Sequence, residues 1–67
     1  MSMTDIGQTD EWGYTCLNRR APVELFRTPK DYYAVYLWVT PHDYLTVVRK
    51  QQADAENIFD TLRHLLV

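Results

Sequence analysis

Eight consecutive residues near the middle of the chain, Tyr32 to Val39 (YYAVYLWV), restrict its folding more than any other segment. Seven of the eight are aromatic, β-branched or Leu. Such side chains lose χ1 freedom against a helical turn but pack well on a pleated surface. A second run, Tyr44 to Lys50 (YLTVVRK), follows after Thr40-Pro41-His42-Asp43, where Pro stands at the position that a type I turn favours. The pattern predicts a β-hairpin with strands 32–39 and 44–50.

The same residues carry a rival signature. Thr28-Pro29-Lys30-Asp31 and Thr40-Pro41-His42-Asp43 both place Thr, Pro and an acid where a helix wants its N-cap, N1 and N3 residues. On that reading the chain is an all-α three-helix bundle. Strand propensity over 32–39 favours the hairpin.

Both readings share a C-terminal helix over 54–66 (DAENIFDTLRHLL). Ala55, Ile58, Phe59, Leu62, Leu65 and Leu66 recur at helical spacing. Acids at its start and Arg63 and His64 at its end complement the macrodipole. Upstream, Glu11 to Asn18 is expected as a first strand with Trp12, Tyr14 and Cys16 on one side, although Gly13 weakens it. Residues 18–22 read as a connection, Val23 to Arg27 as a short strand or a helical turn, and 28–31 as a turn. The expected fold class is therefore α+β: an antiparallel sheet, built from the hairpin and one or two N-terminal strands, packed on a C-terminal helix. Residues 1–10, polar apart from Ile6, are expected as a flexible arm before a single domain over 11–67.

A chain of 67 residues holds one domain with a small core, and such domains usually need a staple. Cys16 is the only cysteine, so the chain has no internal disulfide; it reads as a small buried hydrophobe in a reducing compartment. Met1 to Asp5 lack the basic and apolar regions of a secretory signal, and no apolar run approaches the ~20 residues of a membrane span. The expectation is a cytoplasmic protein without membrane contact.

Pairing Val39 with Tyr44 places Tyr33, Val35, Leu37, Val39, Tyr44, Thr46 and Val48 on one face of the hairpin. The other carries Tyr32, Ala34, Tyr36, Trp38, Leu45, Val47 and Arg49. Neither face is polar, and one helix covers one face. The second needs residues 11–27 folded over it, a second copy of the chain, or another protein. Tyr32, Tyr36, Trp38 and Arg49 are the expected partner contacts, extended by Trp12 and Tyr14, because Trp, Tyr and Arg dominate binding hot spots. Expected core contacts join Ile58, Phe59, Leu62 and Leu65 to Val35, Leu37 and Val48.

No spacing points to catalysis or to a cofactor. The two histidines stand 22 residues apart and match no metal-ligand pattern; the two glycines, Gly7 and Gly13, form no phosphate-binding loop. The sequence reads as a small non-catalytic protein-binding module: an inhibitor, adaptor or accessory subunit, of a kind frequent among phage and mobile-element products, binding another protein and itself as a homodimer. The alternative is a single-stranded nucleic-acid binder that uses the aromatics as a stacking platform. A net charge of −2 with well-mixed signs disfavours it.

Overall fold

In the computed structural model, which describes residues 5–65, the chain is α+β. Four strands, β1 (Thr15–Arg20), β2 (Val23–Arg27), β3 (Tyr33–Trp38) and β4 (Tyr44–Arg49), precede one helix, α1 (Gln52–Leu65). The strands form an antiparallel sheet in the order β1-β2-β3-β4, so every neighbour in space is a neighbour in sequence. The helix lies across β2, β3 and β4 on one face.

The three-helix alternative fails for a local reason. The Thr40 hydroxyl accepts the backbone N–H groups of His42 (3.2 Å) and Asp43 (2.9 Å), the same service an N-cap performs. Here it closes a hairpin turn, and the β-branched residues beyond it continue as a strand. Thr28 acts alike between β2 and β3, its hydroxyl accepting the Tyr32 N–H at 3.1 Å.

That Thr40 turn also corrects the hairpin register. Asp43, read as loop, lies opposite Val39 and accepts its N–H at 2.9 Å. Trp38, not Val39, therefore faces Tyr44, and Tyr33 faces Arg49. The one-residue slip moves every β4 side chain to the other face. Leu45, Val47 and Arg49 share the helix side with Tyr33, Val35 and Leu37. Tyr44, Thr46 and Val48 join Ala34, Tyr36 and Trp38 on the far side.

Two N-terminal expectations also change. Glu11 to Gly13 form a turn, and β1 begins only at Thr15. Residues 18–20, read as connection, belong to β1, and the link to β2 is the pair Ala21-Pro22, joined by a cis peptide bond. Gly13 has φ +87°, and a Cβ there would stand 2.9 Å from Pro29 Cβ, so turn and close approach both require glycine. The described part of the N-terminal segment runs along β1: Gly7 N–H donates to Cys16 O at 2.6 Å and Cys16 N–H to Gln8 O at 3.1 Å.

The core lies between sheet and helix. Val23, Leu25 and Val35 meet Ala55 and Phe59, flanked by Leu17, Tyr33, Leu37, Ile58 and Leu62. The alternation in VELFR aims Val23 and Leu25 at the helix. Two expected core residues are absent: Val48 lies on the opposite face and is exposed, and Leu65, at the helix end, is 75% exposed. Leu66 lies outside the described residues. The helix begins at Gln52, two residues before the expected Asp54.

Candidate functional site

A bulge in β1 organises the face away from the helix. Cys16 pairs with Phe26 and Asn18 with Leu25, leaving Leu17 as the extra residue. Without it Cys16 and Arg19 would fall on opposite sides. With it both face away from the helix, and Arg19 lies opposite Glu24. Arg19 Nε donates to Glu24 Oε2 at 2.7 Å, and Trp38 Nε1 donates to Glu24 Oε1. One carboxylate thus ties β1, β2 and β3, and its hydrogen bond pushes the Arg19 guanidinium pKa up.

Beside this chain of polar groups lies an aromatic cluster. Tyr36 packs edge-on against Phe26 at 5.6 Å between centroids and lies 5.1 Å from Tyr44; Trp38 and Tyr44 are also 5.1 Å apart. Tyr36 and Trp38 stack along β3 at 6.5 Å. Burial, followed by the neighbouring Tyr14 and Tyr44, pushes the Tyr36 phenol pKa up. On the same face Cys16 and Ala34 are buried, whereas Tyr44 stays half exposed. Burial pushes the Cys16 thiol up too, which keeps it protonated.

The face is only partly roofed. Asp10 Oδ1 accepts the N–H groups of Trp12 and Tyr14, both at 2.9 Å, folding residues 10–14 into a tight turn. This turn leaves Trp12 70% exposed. Between the loop of residues 8–12 on one side and the turns at Ala21-Pro22 and 38–41 on the other runs an open cleft. Arg19, Glu24, Phe26 and Trp38 contribute to its lining. Its volume, about 1250 Å³, exceeds the ~300–1,000 Å³ of small-molecule pockets. Asp10, Glu11 and Glu24 line it against the single cation Arg19, so it is acidic.

Of the six residues singled out from the sequence, the structure brings Tyr36, Trp38 and Tyr14 together and places Trp12 at the cleft wall. Tyr32 lies just before β3, six residues from Trp38, roughly 20 Å along an extended chain. Arg49 lies on the opposite face, because of the register slip. Sequence reasoning missed Phe26, Tyr44 and the Arg19–Glu24 pair. Alternation in VELFR carried the signal for Phe26 and Glu24. Tyr44 and Arg19 depended on the turn and the bulge, neither of which propensity reveals.

Among the described residues no three His, Cys, Asp or Glu side chains group to hold a metal ion, and no helix is long and apolar enough to cross a membrane. Comparison of the chain with protein-family models, with curated proteins and with solved structures gives no match.

Proposed function

We propose that this chain is a small non-catalytic binding module, an inhibitor, adaptor or accessory subunit. On this reading its acidic, aromatic cleft receives a segment of another protein. The observation that carries the reading is the half-covered cluster of Phe26, Tyr36, Trp38 and Tyr44 on a sheet face that no helix covers. Tyr and Trp in a partly desolvated site are typical binding anchors. The surplus of carboxylates beside them favours a segment that combines apolar side chains with a lysine or arginine. Phosphate backbones fit this surface poorly, since its one cation, Arg19, is already bound to Glu24.

Affinity capture from a lysate of the source organism tests the reading. Wild type, Trp12→Ala and Trp38→Ala, both at cleft-lining residues, are compared with and without nuclease, after circular dichroism has shown the three folds to be equal. The expected result is one protein retained by wild type, retained at least tenfold less by each variant, and indifferent to nuclease. That loss corresponds to about 1.4 kcal/mol or more. Equal retention by all three forms, or capture that needs intact nucleic acid, overturns the proposal; the second outcome would instead favour the stacking-platform alternative.

A further inference from the structure

The sheet has an uncapped edge at β4. Val39 N–H donates to the Asp43 carbonyl, and Trp38 N–H points the other way, to Pro22 O, so the alternation of an antiparallel ladder makes Leu37–Leu45, Val35–Val47 and Tyr33–Arg49 the hydrogen-bonded pairs of β3 and β4. The N–H and C=O groups of Tyr44, Thr46 and Val48 therefore point outward, and among the described residues nothing pairs with them. The strand carries no proline and no bulge, the usual guards of such an edge. Its apolar side chains are also unusually bare: Tyr44 is 48% exposed, Leu45 62% and Val48 49%.

We propose that β4 pairs antiparallel with β4 of a second copy of this chain, centred on Thr46. The edge is complementary to itself in that one register. Thr46 meets Thr46 across the two-fold axis, a favourable cross-strand pair. On the aromatic face each Tyr44 lies beside Val48 of the second copy; on the helix face each Leu45 lies beside Val47. Asp43 lies beside Arg49 of the second copy. Neither charge has an ionic partner within its own chain among the described residues; the Arg49 guanidinium reaches only the Val48 carbonyl, at 2.9 Å. Six residues separate the two, roughly 20 Å along the strand, too far for a pair within one chain but fitted to two. The product is a continuous eight-stranded sheet with both helices on one face and both acidic clefts on the other. The inference rests on the edge and stands apart from the cleft's function.

Sedimentation equilibrium of the full chain tests it. The expected mass is twice 8.0 kDa for wild type. Thr46→Pro removes an outward N–H without touching the β3 ladder and is expected to give a folded monomer. Arg49→Asp sets two acids opposite each other and is expected to weaken association at least tenfold, and Asp43→Arg combined with Arg49→Asp to restore it. The charge pair decides the matter if the proline variant fails to fold. A wild type that remains at 8.0 kDa at about 100 µM overturns the proposal. So does a dimer that ignores both Arg49→Asp and the exchange.

Discussion

Cys16 shows how one side chain can be placed by a backbone irregularity. The bulge at Leu17 keeps Cys16 on the aromatic face, where the structure covers it completely. Burial is the largest cause of its raised pKa, ahead of the opposing pull of Arg19. A thiol whose pKa is higher folded than unfolded binds its proton more tightly in the native state. The unfolded chain then loses the proton first as pH rises, so that contribution to stability is intact below the ordinary thiol value and drains away above about pH 8.5. Urea titrations at pH 7 and 9.5 should therefore show wild type losing more stability than Cys16→Ala over that interval. Parallel losses in the two proteins would mean that Cys16 does not titrate in this range with a raised native pKa. The same burial makes Cys16 a poor nucleophile.

Among the elements, α1 was the most legible in the sequence and β1 the least. A helix of 14 residues with Ala55, Ile58, Phe59 and Leu62 on one stripe declares itself by period alone. Its fully buried contact is narrow, Ala55 and Phe59 only, so much of its docking falls on one ring. Phe→Ala at a buried site costs about 3–5 kcal/mol, comparable to the whole ~3–5 kcal/mol that a core this size supplies. Phe59→Ala should leave most of the chain unfolded at 25 °C by far-UV circular dichroism; an unchanged melting curve would show that the helix is not held by this contact. The strands were legible where aromatic and β-branched residues crowd, hence β3 and β4, whereas the five residues of β2 read equally as a strand or a helical turn. What alternation cannot carry is a bulge, a glycine turn at positive φ, or a hydroxyl that serves equally as helix cap and hairpin clamp. Gly13, Leu17 and Thr40 account for the misplaced start of β1, the shared face of Cys16 and Arg19, and the slipped register of β4. The slip is also why Arg49, grouped with Trp38 from the sequence, projects from the other side of the sheet.

At the scale of the whole molecule the two faces of the sheet differ in what they do for the fold. Under the helix, Val23, Leu25 and Val35 are wholly covered, and their apolar area is removed from water by the chain itself. On the far side the cover thins from Cys16 and Ala34, through the half-buried Phe26, Tyr36 and Trp38, to the exposed Tyr44, Val48 and Trp12. Residues 10–14 roof only part of that face, and residues 15–27 do not fold across it. They widen the sheet, so the aromatic surface grows with the domain instead of being hidden by it. An indole as bare as Trp12 contributes little to folding, and surface substitutions away from special backbone positions stay within about ±0.5 kcal/mol. Trp12→Ala should accordingly keep the urea midpoint of wild type while losing most of the partner affinity proposed for the cleft. Tyr44→Ala gives up two ring contacts worth about 0.5–1.5 kcal/mol each, so it should cost measurable stability where Trp12→Ala does not. The comparison separates recognition from architecture: if Trp12→Ala unfolds at a clearly lower urea concentration, the loop of residues 8–12 is part of the scaffold, and Trp12 was placed in the wrong role.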